Sequence, residues 1–140
     1  MSSSFFLESR GRCVNMSEIK VVREGMVDGE TKFTAKLFEV ENAVIAFFDE
    51  EGSMKLGTLT IAIPQFSGES CISSVLLGDR NALITKVLAE QLVRAFNKIA
   101  LVSSHLAVIQ ENRTNTLLIR LAKKLCEKAK SQRLPMSSSS

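Results

Sequence analysis

Apolar residues in the first half of the chain alternate with polar ones or form short continuous runs, as they do in β-strands. In the stretch 31–40, Phe33, Ala35 and Leu37 alternate with polar residues, which predicts a strand with one face in the core. Further strands are predicted at 18–23, 42–48, 54–63, 71–77 and 99–109. The turn sequences GMVDGE at 25–30 and DEEGS at 49–53 predict that the early strands pair as an antiparallel meander.

Two later stretches repeat every three to four residues, which is the period of an α-helix. The first, over about 80–97, has Leu88 and Leu92 at the centre of its apolar stripe. The full stripe is Ile84, Leu88, Leu92 and Phe96 with Leu83, Val87 and Ala95 beside it, whereas Thr85, Lys86, Glu90, Arg94 and Asn97 are assigned to the water side. The second helix, over about 114–130, places Leu117, Leu118, Leu121 and Leu125 on one face.

Short polar residues stand at the expected start of each helix. Asp79 or Asn81 is expected to cap the first, because a short side-chain oxygen there accepts from unpaired backbone amides. Thr114 or Asn115 is expected to cap the second for the same reason. Packing both helices on one face of a mainly antiparallel sheet of about six strands gives an α+β fold.

The length and composition of the chain fit one globular domain. Of 140 residues, 45% are hydrophobic and 24% are charged. We expect a flexible N-terminal extension at 1–15, a single α+β domain at 16–134 and a flexible serine-rich tail at 135–140. No apolar run reaches the roughly 18 to 20 residues of a membrane-spanning helix, so no membrane association is expected. The widely spaced Cys13, Cys71 and Cys126 indicate reduced thiols and a cytoplasmic location.

No group of residues in the sequence has the spacing of a catalytic or ligand site. The turn at Gly78 and Asp79 lacks the glycines and the lysine of a nucleotide-binding loop. His105 and Ser103 share one face of a predicted strand without a third group to orient them. Asp49, Glu50 and Glu51 are predicted to be the solvated tip of a hairpin, and Cys71 and Cys126 to be small buried hydrophobes. We therefore expect no enzymatic activity, cofactor, metal or small-molecule substrate.

The charge is distributed unevenly along the chain. Residues 113–133 hold seven Lys and Arg against Glu127 alone, a net charge of +6, so the rest of the chain, whose total is +3, carries −3. Possible partner-binding residues on this second helix are Arg120, Lys123, Lys124 and Lys128. Such a basic surface fits an acidic protein partner, a nucleic acid or an acidic membrane, or a helix that is simply solvated. Nucleic acid ranks last, because the chain has no Trp or Tyr to form a stacking platform.

A series of short motifs gives the chain a resemblance to a known family. The motifs are Leu76-Leu77-Gly78-Asp79, Leu88-Ala89-Glu90-Gln91-Leu92, Asn97-Lys98 and Val102-Ser103, with FTAKLFE at 33–39 and TLLIRLAKKL at 116–125. In order and spacing they resemble the proteasome assembly chaperone 4 family. Gly57-Thr58-Leu59 and Val75-Leu76-Leu77-Gly78 are also similar to the sister family, proteasome assembly chaperone 3.

The resemblance implies a chaperone without enzymatic activity. It implies a heterodimer with a sister assembly chaperone that binds proteasome alpha subunits, promotes assembly of the 20S proteasome alpha ring and leaves before maturation. It is also compatible with a nuclear location in addition to the cytoplasmic one. Two alternatives remain: a small α+β scaffold of the roadblock or longin kind in a trafficking complex, and a basic nucleic-acid-binding module.

Overall fold

The computed structural model describes residues 19–50, 54–65, 71–106 and 112–138, which form one sheet and two helices. The strands are β1 (Lys20–Asp28), β2 (Thr31–Glu39), β3 (Ala43–Glu50), β4 (Thr58–Pro64), β5 (Cys71–Leu77) and β6 (Ile99–His105). Helix α1 (Ala82–Phe96) connects β5 to β6, and helix α2 (Asn112–Ser138) follows β6. This arrangement confirms the predicted α+β fold. The extension predicted at 1–15 and residues 139–140 of the predicted tail lie outside the described residues.

The sheet is mixed, with the strand order β1-β2-β3-β6-β4-β5. All neighbouring strands are antiparallel except β3 and β6, which run parallel. The predicted meander is therefore correct for β1, β2 and β3 and wrong for β4, because β6 enters between β3 and β4 after α1. A central place suits β6, since its Ala100 and Val102 are fully buried between two neighbouring strands.

Several strands begin or end at other residues than predicted. β1 continues through the expected turn, pairing Gly25 with Thr34, and the chain reverses at Gly29, whose φ is 64°. β3 continues through Asp49 to Glu50, because both pair with β2. β4 begins at Thr58 rather than at 54. β6 ends at His105, and the predicted continuation at 107–109 lies outside the described ranges.

Both helices pack on the same face of the sheet. Helix α1 lies over β4, β5 and β6, and α2 lies over β1 and β2 and against α1. The sheet contributes Val22, Phe33, Ala35, Leu37, Val44, Ala46, Phe48, Ala62, Ala100 and Val102 to the core, and the helices contribute Ile84, Leu88, Ala89, Leu92, Val93, Phe96, Leu118, Leu121, Ala122, Leu125, Cys126 and Ala129. Burying each Leu or Phe side chain in such a core stabilises the fold by about 1.5–3 kcal/mol.

The orientation of α1 differs at two positions from the one predicted. Leu83 is 66% exposed, and Thr85, assigned to the water side, is fully buried. Its hydroxyl donates to the carbonyl oxygen of Asn81 at 2.7 Å and lies 2.7 Å from Oγ of Ser104. Burial of Thr85 is therefore compatible with its polarity, because two partners lie within its reach.

The predicted helix caps are wrong. Asn81 does precede α1, but it has a φ of 58° and its side chain makes no capping hydrogen bond. Asp79 is exposed. Helix α2 begins at Asn112, which places Thr114 and Asn115 inside its first turn, and it continues past Lys130 to Ser138, into the stretch predicted as a tail.

Candidate interaction surface

The sheet face opposite the helices consists of the residues that alternate with the core residues along each strand. We call it the open face. Its apolar members are Val21 and Val27 of β1, Phe38 of β2, Ala43, Ile45 and Phe47 of β3, Leu59, Ile61 and Ile63 of β4, Ile72 and Leu76 of β5, and Ile99 and Leu101 of β6. Neither helix covers these side chains, because α1 and α2 both contact the other face.

Apolar side chains on the open face are adjacent across neighbouring strands. In one row, Val21 lies opposite Phe38, Phe38 opposite Ile45, Ile45 opposite Leu101, and Leu101 opposite Ile61. Directly opposite residues on one face have Cβ atoms about 4.5–5.5 Å apart, so their side chains touch. The row therefore forms one continuous apolar band across five strands.

The open face is well exposed for an apolar surface. Ile72 is 56% exposed and Leu76 is 55% exposed, both on the edge strand β5. The rings of Phe38 and Phe47 are half-buried and pack edge to face, with 6.0 Å between their centroids and 85° between their planes. A sheet face that contacts water normally carries polar residues, and contiguous exposed apolar patches mark interaction sites. The open face is therefore the candidate functional surface.

Asp49 lies at one end of the open face and is only 1% exposed. It pairs with Thr34 on β2 and His105 on β6, and its Oδ1 accepts a hydrogen bond from the backbone amide of Lys55 at 3.3 Å. Burial raises the pKa of Asp49, and the Lys55 hydrogen bond and the nearby charges of His105, Lys36 and Lys55 oppose that rise. The predicted solvated hairpin tip is thus wrong for Asp49. Glu50 lies half-buried at the end of β3, and Glu51 lies outside the described residues.

The residues of the family motifs have mainly structural positions. Leu88 and Leu92 are fully buried in the core. Gly78 has a φ of 81°, and a Cβ there would lie 2.9 Å from Oγ1 of Thr58. Asp79 is exposed beside it. These positions explain the motif by packing and turn geometry.

The remaining motif residues divide between the end of α1 and the open face. Asn97 follows α1 in a left-handed conformation, and its amide donates to the carbonyl oxygen of Val93 at 2.7 Å. Nζ of Lys98 lies 2.8 Å from Oε2 of the buried Glu39 and 2.9 Å from the carbonyl oxygen of Val40. Leu76 and Leu77 are both exposed at an irregularity in β5, and Leu77 pairs with Leu59 of the open face.

The predicted basic residues of α2 lie on a second surface. Arg120, Lys123, Lys124 and Lys128 are all exposed, on the side of α2 that points away from the sheet. Nζ of Lys128 donates to the carbonyl oxygen of Arg23 at 2.8 Å, at the outer edge of β1. The basic helix surface therefore meets the open face only at Lys128, whereas Arg120, Lys123 and Lys124 are exposed elsewhere on α2 and could contact a different partner.

The two cysteines of the described chain differ in environment. Cys126 is buried, and this burial raises the pKa of its thiol to about 11. Cys71 is half-buried at the start of β5. Burial as a small hydrophobe is thus correct for Cys126 and only partly so for Cys71.

Two further polar features of the described ranges are a hollow at the Gly78 turn and the potential metal-binding side chains. A hollow of about 350 Å³ opens beside the turn at Gly78 and Asp79. Its nearby hydroxyl, Oγ1 of Thr58, already donates to the carbonyl oxygen of Arg80 at 2.6 Å. Among the described residues, no three His, Cys, Asp or Glu side chains are grouped so that they could hold a metal ion. Neither helix there has the length and apolarity needed to cross a membrane.

The open face is not among the predicted sites, although the sequence contains a signal for it. The run AVIAFF at 43–48 is apolar at consecutive positions, so both faces of β3 had to be apolar. Two helices on one side can cover only one of these faces. A continuous apolar strand in a two-layer α+β fold therefore indicates an uncovered apolar surface.

The fold has a counterpart among solved structures. No model of a known protein family matches the chain, and no curated protein sequence matches it. A chain in the crystal structure of a novel chaperone complex for yeast 20S proteasome assembly superimposes on it with a TM-score of 0.58 and 14% sequence identity. The match covers 81% of this chain and 97% of that chain. The protein therefore has the fold of a subunit of a 20S proteasome assembly chaperone complex.

Proposed function

We propose that the protein is a chaperone of 20S proteasome assembly that has no enzymatic activity and works as a heterodimer with a sister assembly chaperone. The observation that carries the proposal is the apolar open face, which neither helix of the described chain covers. The fold shared with a chain of the yeast assembly chaperone complex supports a role in 20S proteasome assembly. The motif resemblance to the proteasome assembly chaperone 4 and 3 families supports the heterodimer.

The open face has the size of a stable protein interface. Six strands about 4.8 Å apart span about 29 Å, and seven residues at about 3.3 Å each span about 23 Å, which gives on the order of 700 Å². A standard interface buries about 800 Å² on each partner. A second sheet of similar shape, stacked about 10 Å away, would cover all the apolar rows at once.

The basic surface of α2 remains accessible in such a dimer. Arg120, Lys123 and Lys124 lie on the far side of the molecule from the open face. We assign this surface to an acidic region of a proteasome alpha subunit, because complementary charge steers association and sets the orientation of the partner. The heterodimer would act in the cytoplasm and nucleus, and release from the ring before maturation fits a contact based on exposed charge, which is weaker than a buried apolar one.

Co-expression with the sister chaperone and alpha subunits tests both surfaces. Ile61→Asp and Leu101→Asp should each abolish the heterodimer, because they place a charge in the centre of the apolar band. Leu83→Asp is the matched control, since Leu83 is an exposed leucine on α1, away from the open face. It should leave the heterodimer intact.

The double variant Lys123→Glu/Lys124→Glu should keep the heterodimer and lose the alpha subunits. Wild-type chain that forms no heterodimer, or that binds no alpha subunit, would refute the proposal. Recovery of trafficking proteins without proteasome precursors would favour the scaffold of the roadblock or longin kind instead.

A further inference from the structure

One corner of the open face carries a group of cations that the apolar rows do not explain. Arg23 of β1 and Lys36 of β2 lie directly opposite each other, and Lys32 lies on the same face of β2, beyond the pair that Gly25 forms with Thr34. We call these three residues the cationic corner. Like charges directly opposite on a sheet destabilise it, and no salt bridge within the described residues involves any of the three. Such a local conflict marks a position selected for something other than stability.

The cationic corner surrounds a hollow of about 320 Å³. The hollow exists because Gly25, between Arg23 and Val27 on the open face, has no side chain. Opposite Gly25 lies Thr34, whose Oγ1 is buried and has no hydrogen-bond partner. A buried hydroxyl without a partner is unfavourable, and a ligand that accepts its proton would supply the missing hydrogen bond.

Two carboxylates lie near the three cations of the corner: Glu24, which also lines the hollow, and Asp49, which pairs with Thr34. Oε1 of Glu24 accepts a hydrogen bond from the amide of Gly25 at 3.4 Å. Asp49 lies under Lys55 and is buried, and the charge of Lys36 favours its ionised form. Lys128 of α2 adds a further cation at the edge of β1. The surface that faces solvent at this corner is therefore positive.

We propose that the cationic corner receives an Asp or Glu carboxylate from the sister subunit, in an interface that rests on the heterodimer proposed above. Arg23, Lys32 and Lys36 all line the hollow that the carboxylate enters, so their cations can pair with it, and the hydroxyl of Thr34 donates to it. Charge-assisted hydrogen bonds of this kind are about twice as strong as neutral ones. The corner also selects against a partner that presents cations here, which favours a sister chain with an acidic counterpart.

The geometry favours a protein carboxylate over a nucleic acid. The three cations occupy one corner, whereas a groove for single-stranded nucleic acid carries basic residues along the path of the backbone. The neighbouring Phe38 and Phe47 pack against each other edge to face, and aliphatic residues surround them, so the face continues as an apolar protein interface.

Zero-length cross-linking identifies the contact directly. Carbodiimide treatment of the heterodimer joins a lysine amine only to a carboxylate in contact with it. Mass spectrometry should find Lys32 or Lys36 linked to an Asp or Glu of the sister chain. Cross-links of both lysines only within their own chain would overturn the inference.

The dissociation constant of the heterodimer gives an independent test. Arg23→Glu and Lys36→Glu should each weaken it roughly tenfold to a hundredfold, and Lys36→Arg should retain most of the affinity. Lys86→Glu makes the same charge change on α1, on the other side of the sheet, and should have no effect. Circular dichroism confirms that each variant is folded.

The outcomes separate this inference from the proposed function. If the wild-type chain forms no heterodimer, both fail. If Ile61→Asp abolishes the heterodimer while Lys36→Glu behaves like Lys86→Glu, the interface stands and the carboxylate site is refuted. If Lys36→Glu leaves the heterodimer unchanged and removes binding of a single-stranded oligonucleotide, the corner is a nucleic-acid contact and the inference is also refuted.

Discussion

Replacing Leu88 by Ala tests how α1 is oriented on the sheet, on which the whole description of the open face depends. Leu88 is 0% exposed and lies on the side of α1 that packs against the sheet. The change removes three carbon atoms, which lose about 2.4 kcal/mol of transfer free energy at about 0.8 kcal/mol each. The cavity left behind adds on the order of 1 kcal/mol or more, since each Å³ of cavity costs about 24 cal/mol. We expect the free energy of unfolding to fall by about 3–4 kcal/mol.

Leu83→Ala on the same helix is the matched control. Leu83 is 66% exposed, so the same three atoms leave little buried contact, and we expect a change within about 0.5 kcal/mol. Both are measured by urea unfolding at several protein concentrations, so that a contribution from self-association is visible. The free energy of unfolding falls by about 2 kcal/mol per M of urea, so the urea concentration at the unfolding midpoint should be about 1.5–2 M lower for Leu88→Ala than for wild type.

The reasoning is refuted if the two substitutions cost equal amounts, or if Leu83→Ala costs more. Helix α1 would then be rotated about its axis, and its apolar stripe rather than the open face would be the exposed apolar surface. A loss for Leu88→Ala near 1 kcal/mol, with Leu83→Ala neutral, would keep the orientation and show that the core relaxes into the cavity.

Three further substitutions or measurements test local features of the structure. Gly57→Ala should destabilise the fold by several kcal/mol, because the new Cβ would lie 2.1 Å from the carbonyl oxygen of Ser104. Gly25→Ala is the control, since its nearest contact would be the carbonyl oxygen of Phe33 at 3.4 Å, and equal melting temperatures for the two variants would contradict the close approach at Gly57. Burial raises the pKa of Asp49 in the folded state above its pKa in the unfolded chain, which is about 3.9. The folded protein therefore loses stability as the pH rises from the pKa of the unfolded chain through that of the folded state. Asp49→Asn, whose amide oxygen still accepts from Lys55, should therefore be more stable than wild type at pH 7 and lose this advantage below about pH 4; urea titrations that show the same difference at both pH values would disprove it. Burial raises the pKa of Cys126 to about 11, so its thiol should stay unmodified by a disulfide reagent at about pH 8 until urea unfolds the chain, and rapid labelling of the folded protein would be inconsistent with its position.

The sequence predicted the helices and strands better than it predicted which residues and strands contact one another in the fold. The stripe containing Leu88 and Leu92 depends only on helix period, and both residues are buried as expected. Thr85 and Leu83 flank that stripe, where the period alone does not decide which side is covered. Thr85 is buried because Asn81 and Ser104 supply partners for its hydroxyl, and the Ser104 contact forms only in the folded chain.

The errors in the sheet have a similar cause. The composition of DEEGS favours a loop, yet Asp49 extends β3, because Thr34 on one side and His105 on the other continue the pairing. The insertion of β6 beside β3 depends on contacts between residues far apart in the sequence, which local patterns do not encode. The cationic corner also needed the strand register, since Arg23 and Lys36 are distant in sequence and adjacent only after β1 pairs with β2.

The open face could be predicted from the sequence in part. The apolar runs at 43–48 and 61–63 each indicate a strand with two apolar faces. The number of helices, also predictable, shows that only one face is covered. What the sequence could not provide is the alignment of Phe38, Ile45 and Leu101 into one row, because that row depends on the parallel pairing of β3 and β6.

Native mass spectrometry of the chain purified from its own cells tests the central claim most directly. The account predicts a complex whose mass is that of this chain plus one different small chain, and heavier species that add proteasome alpha subunits. Ile61→Asp should reduce this spectrum to the free chain. A wild-type chain that is found alone, only as two identical copies, or with partners unrelated to the proteasome would contradict the account.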